Sequence, residues 1–478
     1  MTNGSKKSKN AVDYSVMFPT PPYYFPRRFL LVILGFLGLA FAYLVRVLIS
    51  TCITDMSEQY GWDSTFKGIL LSSFFMGYVA TQLLAQFFNE RFGGKRTLLV
   101  GLTLSIASTL LIPVAAKSKG AVVAIRIFTG LTQGITFPTL NWLISRWFPS
   151  SQRSSSAASI WSGVYIGTIF IDFVAPIILD YLSWQATFYI FGGSGLIWSI
   201  LWLIFIRDHP KDVPIGIHPN EVAFIAYNEE QGSTETSPLL TNNAEDDFFS
   251  PNGASFNQEN RASAKEEPEL PFPVVLKALL TSRGLLALLY YNLVTSWGFY
   301  LLLMWYPTYL FSLLGYNKGT LYAFYNAVPY MLSFVIGNGS GLLADKLLAK
   351  GVRKIFIRKG FGIVASIVPG IFLFLAAFLK DATPSAKIIF LTIVICCNGF
   401  NAGGTQMVTL DLSPRYAGIT MGITNTVATI PGILGPLIAG ILLEAFNGSW
   451  DQIFSMSAAF YISGGIVWVL LAKCDKVI

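Results

Sequence analysis

The sequence predicts an all-α membrane protein with twelve transmembrane helices in two six-helix pseudo-repeats. Hydrophobic residues make up 53% of the chain and charged residues only 12%, against about 25% charged residues in soluble domains. A helix needs about 20 apolar residues to cross a bilayer, and runs of this kind fall into two sets of six. A polar stretch separates the two sets, which indicates two halves joined by a connector.

We number the predicted spans 1 to 12. The first six lie at 29–50, 65–88, 97–116, 121–147, 155–181 and 185–206, and the second six at 285–313, 320–343, 361–380, 386–410, 416–443 and 452–472. The predicted domains are an N-terminal tail at 1–28, an N-terminal half at 29–206, a connector at 207–275, a C-terminal half at 276–473 and a tail at 474–478. The connector is acidic and rich in Ser, Asn and Pro, so we expect it to be mostly disordered.

The basic residues are distributed unevenly between the two predicted membrane faces. If both termini are cytoplasmic, 25 Lys and Arg lie in cytoplasmic segments, six lie in the opposite loops, and Arg46 and Arg126 lie in the membrane. Because Lys and Arg accumulate on the cytoplasmic side, this count predicts cytoplasmic termini. It also explains the net charge of +7 without a nucleic-acid partner. The first 28 residues lack the features of a signal peptide, and the four cysteines lack disulfide or zinc spacing, so we expect no cofactor or metal.

The two halves contain matching charged loops, as internal repeats in a transporter predict. The loops follow spans 2 and 8 or precede spans 5 and 11, and their charged residues are Glu90, Arg91, Asp345, Lys346, Arg153 and Arg415. These paired loops resemble those of the major facilitator superfamily, in which the loops after spans 2 and 8 latch the two halves together. The first loop departs from the family pattern, because Glu90 replaces the usual Asp and the leading Gly is missing.

Three ionisable residues lie near the middle of predicted spans: Arg46 in span 1, Arg126 in span 4 and Asp172 in span 5. Charges at this depth are costly and usually functional, and a guanidinium is a fork of donors that suits carboxylate or phosphate. One Arg–Asp pair would leave the other Arg unpaired, so the balance favours an anion site. Two alternatives stay open: the Arg side chains reach a membrane surface or pair structurally, and Asp172 is a polar lining residue or a partner of Arg46. Gly130 and Gly134 share the face of Arg126 and would permit close helix contact.

Four segments narrow the resemblance to the anion:cation symporter family, which includes sialin and the vesicular glutamate, sodium-phosphate and plant organellar phosphate transporters. The segments are 72–82, 126–138, 297–303 and 414–426. The resemblance implies that Arg46 and Arg126 bind the substrate anion. Gln133 occupies the position of a Glu that takes up the coupling proton in many members, so proton coupling through that carboxylate is excluded. Transport is then uncoupled, coupled to another ion, or coupled to a proton on Asp172.

Aromatic and amide side chains are expected to line the rest of the cavity. They are Gln133, Tyr43, Phe74, Tyr78, Trp161, Tyr165, Trp297, Tyr300 and Asn401, with Asn398 and Asn425 as further candidates. In the connector, Glu235, Leu239 and Leu240 have the acidic dileucine form that sorting adaptors recognise. Asn447 starts the one glycosylation sequon predicted on the non-cytoplasmic side.

These observations predict a secondary active transporter of an organic or inorganic anion, carboxylate or phosphate, which works by alternating access and is coupled to H⁺ or Na⁺. The alternatives are an anion receptor or scaffold without net transport, and an uncoupled uniporter or exchanger. No nucleophile, acid-base pair or metal cluster suggests an enzyme. We expect a monomer in the lipid bilayer of a lysosome, vacuole or other endomembrane rather than the plasma membrane.

Overall fold

A computed structural model describes residues 25–82, 84–213, 217–225, 272–315, 319–379, 381–413, 416–474 and 477. All regular secondary structure in these ranges is helical. Eleven helices are long and apolar enough to cross a membrane, and a bent pair brings the number to twelve. Arg415 and the proposed sorting signal at 235–240 lie outside the described residues.

The N-terminal half contains spans 1 to 6. Their helices are Arg27–Tyr60 for span 1, Ser64–Gln82 with Ala85–Phe92 for span 2, Gly94–Ala115 for span 3, Lys119–Gln133 with Thr136–Trp147 for span 4, Ser150–Trp161 with Gly163–Tyr181 for span 5, and Trp184–Phe205 for span 6. Short helices follow at Pro210–Asp212 and at 219–225. Glu221 in the second of them accepts hydrogen bonds from the backbone N–H groups of Arg27 and Arg28, so the start of the connector is held against the start of span 1.

The C-terminal half repeats this order. Phe272–Thr281 precedes span 7 at Arg283–Leu314, span 8 at Thr320–Ala349, span 9 at Lys354–Phe378, span 10 at Pro384–Cys397 with the short helices Asn398–Asn401, Thr405–Met407 and Val408–Leu412, span 11 at Ala417–Ala445, and span 12 at Asp451–Leu471. Span 9 starts seven residues before the predicted 361, which places Arg358 inside the helix instead of in a loop.

Glycines bring spans 2 and 4 into backbone contact. A Cβ on Gly130 would lie 1.9 Å from the carbonyl oxygen of Phe74, and one on Gly134 would lie 2.3 Å from that of Tyr78. Spans 8 and 10 repeat the arrangement, since a Cβ on Gly399 would lie 2.5 Å from the carbonyl oxygen of Ser333. Such close approach is possible only where the side chain is a hydrogen atom, so the glycines fix the position of span 4 and everything it carries.

The two halves meet mainly through spans 2 and 11, 5 and 8, and 1 and 7. We call the face with the loops between spans 1 and 2 and between spans 11 and 12 the loop face, and the opposite face, with the connector, the connector face. A Cβ on Gly440 would lie 2.5 Å from the carbonyl oxygen of Ser64, and the Ser64 N–H donates to Glu444 at 3.0 Å. Both contacts join the loop-face ends of spans 2 and 11, so the halves are closed together at that face.

Candidate functional site

Arg126 lies in span 4 and is fully buried. Its Nη1 and Nη2 atoms donate to the backbone carbonyl oxygens of Val45 at 3.5 Å and Arg46 at 3.3 Å, and Nε has no hydrogen-bond partner. The guanidinium therefore ties span 4 to span 1 beside Arg46. Its charge is left without a carboxylate in the described part of the chain.

Arg46 is held in an aromatic box from spans 1 and 2. Its guanidinium carbon lies 4.3 Å from the ring centre of Tyr43, 4.7 Å from that of Phe74 and 4.8 Å from that of Tyr78. Tyr43 precedes Arg46 by three residues on one helix, and Phe74 and Tyr78 are four apart on another, so each pair shares a helix face. Cation–π attraction of about 1–2 kcal/mol per ring helps to hold a desolvated cation, but it does not neutralise it.

Both guanidiniums lie over the ring of Phe74, with Arg126 at 5.3 Å from its centre. Two positive charges thus share one low-dielectric space, and no described carboxylate pairs with either of them. An uncompensated buried charge costs several kcal/mol. A bound anion would remove this cost, which makes the space beside Arg46 and Arg126 the candidate binding site.

Gln133 lies two turns along span 4 from Arg126 and is fully buried. Its Nε2 atom donates to the carbonyl oxygen of Ala42 at 3.1 Å and to Ser105 Oγ at 2.9 Å, while Oε1 has no partner. The amide thus links spans 1, 3 and 4. A deprotonated carboxylate at this position could not make either donation.

Asp172 lies apart from the two arginines, so the interpretation of Asp172 as a partner of Arg46 is wrong. Its Oδ1 atom accepts from Asn326 Nδ2 of span 8 at 3.2 Å, and it forms none of the ion pairs within the described ranges. The residue is fully buried. It is therefore a contact between the two halves.

The other predicted lining residues divide into two groups. Tyr300 packs on Phe75 with ring centres 4.7 Å apart and lies near Arg46, and Tyr165 packs on Phe334 across the two halves at 5.7 Å. Trp161 is partly buried, and its Nε1 has no hydrogen-bond partner. Trp297 and Asn401 belong to the packing of the C-terminal half instead.

Hydrogen bonds within the C-terminal half explain why the side chains of Trp297 and Asn401 do not pair with Arg46 or Arg126. Trp297 Nε1 donates to Ser457 Oγ in span 12 at 3.0 Å. Asn401 Oδ1 accepts from the hydroxyl of Tyr291 in span 7 at 2.9 Å. Both polar groups are thus used inside the C-terminal half, and we do not place either residue in the site.

The predicted latch residues that the structure describes lie at the connector face. Glu90 accepts from Gln86 Nε2 at 2.5 Å, and Arg153 donates to the carbonyl oxygens of Phe148 and Ser145 at 2.9 and 2.7 Å. Arg91, Asp345 and Lys346 are exposed.

Asp208 was missed by the sequence analysis, since it follows span 6 in an ordinary charged loop. It accepts from the N–H of Lys95 at 2.7 Å, at the N-terminus of span 3. An open cavity of about 800 Å³ adjoins this contact, beneath the loop after span 2. It lies in the N-terminal half at the connector face, away from Arg46 and Arg126.

A third buried arginine, Arg358 in span 9 of the C-terminal half, was not recognised in the sequence. Arg358 Nε donates to Asp411 Oδ2 at 3.0 Å, and its Nη1 donates to the carbonyl oxygen of Gly403 at 2.6 Å. Lys354 also contacts Asp411, at 2.9 Å. The spacing of Lys354 and Arg358 on one helix face was the signal that could have revealed this site.

Comparisons with known proteins agree with the fold. The family model of the Major Facilitator Superfamily matches residues 35–436. The chain is 32% identical to sialin of Ovis aries, over 93% of this chain and 89% of that protein. It is 30% identical to the chloroplastic ascorbate transporter of Arabidopsis thaliana, over 95% of this chain and 76% of that protein. The chloroplastic sodium-dependent phosphate transport protein 1 of the same plant is 29% identical, over 95% and 81%.

Solved structures share the architecture at low sequence identity. The D-xylose-proton symporter superposes with a TM-score of 0.68 at 13% identity, covering 94% of this chain and 99% of that one. A bacterial homolog of the human lysosomal transporter Spinster, in an inward-facing occupied conformation, gives 0.68 at 14% identity, covering 95% and 97%. The predicted fold and family are therefore confirmed: the chain is a transporter that belongs to the Major Facilitator Superfamily, among its members similar to anion:cation symporters.

Proposed function

We propose that this transporter moves an organic anion, a carboxylate or a similar acid, across an endomembrane by alternating access. The observation that supports the proposal is the pair of buried guanidiniums, Arg46 and Arg126, which have no carboxylate partner in the described ranges. Relatives named as anion carriers, one for ascorbate and one for phosphate, agree with a positive site.

The aromatic box favours an organic anion over inorganic phosphate. Three rings lie within 4.8 Å of the Arg46 guanidinium, and they offer apolar faces to the rest of a substrate molecule. Phosphate is strongly hydrated and needs donors on all sides. A carboxylate needs one fork of donors, so its carbon skeleton can lie against the rings.

The two arginines have different proposed roles. Arg126 already donates to two carbonyl oxygens of span 1, so it holds Arg46 in place and adds positive charge. The Arg46 guanidinium interacts with the Tyr78 hydroxyl, while its Nε has no hydrogen-bond partner, so we propose that Arg46 contacts the anion directly. Tyr78 and Tyr300 lie beside it and would contact the same substrate.

The contacts between the halves support the proposal of alternating access. Spans 2 and 11 are closed at the loop face, and Gly130 and Gly134 keep spans 2 and 4 together as one unit. We propose that the halves rock about the site between them, that both termini are cytoplasmic, and that the charged latch residues close the opposite face. A coupling ion, H⁺ or Na⁺, would drive the cycle.

The test is uptake of labelled ascorbate, a sugar acid and phosphate into liposomes that contain the purified chain, with and without imposed pH and sodium gradients. We expect saturable uptake of an organic acid that Arg46→Met abolishes. If phosphate is taken up and the organic acids are not, the substrate is phosphate and the proposal of an organic anion is wrong. Saturable binding with no accumulation or exchange would contradict transport and favour an anion receptor.

A further inference from the structure

Three buried oxygen atoms near the contact of the two halves have no hydrogen-bond partner among the described residues. They are Thr51 Oγ1 in span 1, Asp172 Oδ2 in span 5 and Asn326 Oδ1 in span 8. The three residues are 5%, 0% and 0% exposed. Buried polar atoms are normally satisfied, so the two bare acceptors, Asp172 Oδ2 and Asn326 Oδ1, and the unpartnered Thr51 hydroxyl require an explanation.

Pro176 explains why these residues come together. Proline has no N–H, so the carbonyl oxygen of the residue four before it loses its helical hydrogen bond. That residue is Asp172, and Asn326 Nδ2 donates to its carbonyl oxygen at 3.3 Å as well as to its Oδ1 at 3.2 Å. The Thr51 hydroxyl also lies close to the carboxylate, without the geometry of a full hydrogen bond. The hydrogen bond that Pro176 removes from the continuous helix Gly163–Tyr181 thus leaves a carbonyl oxygen that binds an amide of the opposite half beside a buried carboxylate.

No positive group compensates this carboxylate within the described ranges. Its other neighbours include Tyr306, Tyr322 and Tyr330. Two of these hydroxyls are directed elsewhere, since Tyr306 donates to the carbonyl oxygen of Tyr325 at 3.1 Å and Tyr322 to that of Pro307 at 2.7 Å. Thr51, Asp172 and Asn326 therefore contribute one negative charge and spare oxygen atoms, and a second carboxylate, Asp55, lies beyond them near Tyr322.

We propose that Thr51, Asp172 and Asn326 form a binding site for a sodium ion. Carboxylate, amide and hydroxyl oxygens are ligands for hard cations, and a single carboxylate balances a monovalent ion. A divalent metal is disfavoured, because the described residues contain no group of three His, Cys, Asp or Glu. The inference rests on the proposed transport function and names its coupling ion.

The position of the site links ion binding to the movement of the halves. Thr51 and Asp172 belong to the N-terminal half and Asn326 to the C-terminal half, near the closed loop face. Opening of that face would withdraw Asn326 and remove one ligand, so the ion would dissociate there. The bound ion would stabilise the closed loop face, and this is the differential affinity that a coupling ion needs.

The experiment measures sodium binding to the purified full-length chain without any anion. Binding of ²²Na⁺ and the midpoint of thermal unfolding are compared in NaCl and KCl. We expect saturable binding and a higher midpoint in NaCl for the unaltered chain. Asp172→Asn and Thr51→Val, which keep the shape of each side chain, should weaken sodium binding about tenfold or more.

Matched controls lie on the same spans. Asp180→Asn and Asn338→Ala alter exposed residues of spans 5 and 8 and should leave sodium binding unchanged. Equal midpoints in NaCl and KCl for the unaltered chain, or sodium binding that survives Asp172→Asn, would overturn the proposal. If lowering the pH raises the midpoint of thermal unfolding and sodium does not, the proposal is overturned, and Asp172 binds a proton instead of sodium.

The anion site gives an independent readout. Arg46→Met should bind sodium normally while losing the anion. If sodium binds and no anion is transported, the proposed function fails and the cation site stands. If an anion is transported with no effect of sodium on binding or stability, the cation site fails alone.

Discussion

The two halves of the molecule bury arginines near glycine-packed spans, Arg46 and Arg126 in one half and Arg358 in the other, but they differ in how the charge is balanced. In the C-terminal half, Arg358 has a carboxylate partner, Asp411, at 3.0 Å. In the N-terminal half, Arg126 has only backbone carbonyls and an aromatic ring. The paired arginine completes a structural network. The unpaired one leaves a charge that a substrate can balance, and we propose that this separates a functional buried arginine from a structural one.

The backbone frame of the two halves is the same. Gly130 and Gly134 approach span 2 as Gly399 and Gly403 approach span 8. Arg126 stands four residues before the first glycine of its pair, and Ile395 stands in that position in the other half. The glycine packing therefore occurs in both halves, while the charge at this position occurs in one half only, so the proposed anion site belongs to the N-terminal half.

The variants Arg46→Met and Arg358→Met should give the largest effects, and they should differ in their effect on the free energy of unfolding. Arg46→Met removes an uncompensated charge, so the free energy of unfolding without substrate should stay level or rise, while uptake falls roughly 100-fold because charge-assisted hydrogen bonds are lost. Arg358→Met leaves Asp411 with Lys354 alone and should lower the free energy of unfolding by about 2–3 kcal/mol. Unfolding in detergent and initial uptake rates measure the two quantities.

Arg353→Met is the control for these variants, because Arg353 is exposed next to the same helix. It should change neither stability nor uptake. If Arg46→Met lowers stability as much as Arg358→Met does, Arg46 is a structural residue and the contrast between the halves is lost.

A series of glycine substitutions should rank by the space that the structure leaves. Gly130→Ala places a Cβ 1.9 Å from a backbone oxygen and Gly399→Ala places one at 2.5 Å, whereas Gly193→Ala meets nothing within 4 Å. Overpacking costs about 1–3 kcal/mol, while alanine favours an open helix position by up to about 1 kcal/mol. We expect the amount of folded protein to fall for Gly130→Ala, to fall less for Gly399→Ala, and to hold for Gly193→Ala.

Equal folded yields for Gly130→Ala and Gly193→Ala, measured by size-exclusion chromatography, would show that spans 2 and 4 do not need their backbone contact. A loss at Gly399 larger than that at Gly130 would reverse the order that the distances predict.

The sequence was sufficient for the spans, for the close approach at Gly130 and Gly134, and for the burial of Arg46 and Arg126. The length of an apolar run, the spacing of small residues and a charged residue inside such a run are local features of the sequence. They can be recognised without knowing which spans contact each other. The aromatic box was also predicted in part, since Tyr43, Phe74 and Tyr78 surround Arg46.

Side-chain direction and pairing across spans were not predictable. Span 7 is apolar on all faces, so nothing local showed that Trp297 bonds Ser457 instead of facing Arg46. The contact between Asp172 and Asn326 joins residues 154 apart in sequence, and it depends on how the two halves meet. One sequence without its relatives contains no signal for such a contact.

Gln133 allows the smallest but most specific change to the N-terminal site. Gln133→Glu restores the carboxyl group of many related symporters, and its ionised form could not donate to the carbonyl oxygen of Ala42 as the amide does. That form would also balance part of the positive charge of Arg126 and compete with the substrate anion. Anion binding should then require the protonated carboxyl, so we expect the KM for the anion to rise several-fold with pH between about pH 5 and 8.

The measurement is uptake at equal pH on both sides of the membrane, compared with the unaltered chain and with Gln133→Met. The methionine removes both hydrogen bonds of the amide without adding a proton site, so its KM should change by the same factor at every pH. If Gln133→Glu and Gln133→Met show the same pH profile, the side chain at position 133 does not affect the charge of the anion site, and the prediction is wrong. If the KM rises with pH only in Gln133→Glu, the amide at position 133 is the one group whose replacement makes anion binding in this half depend on a proton.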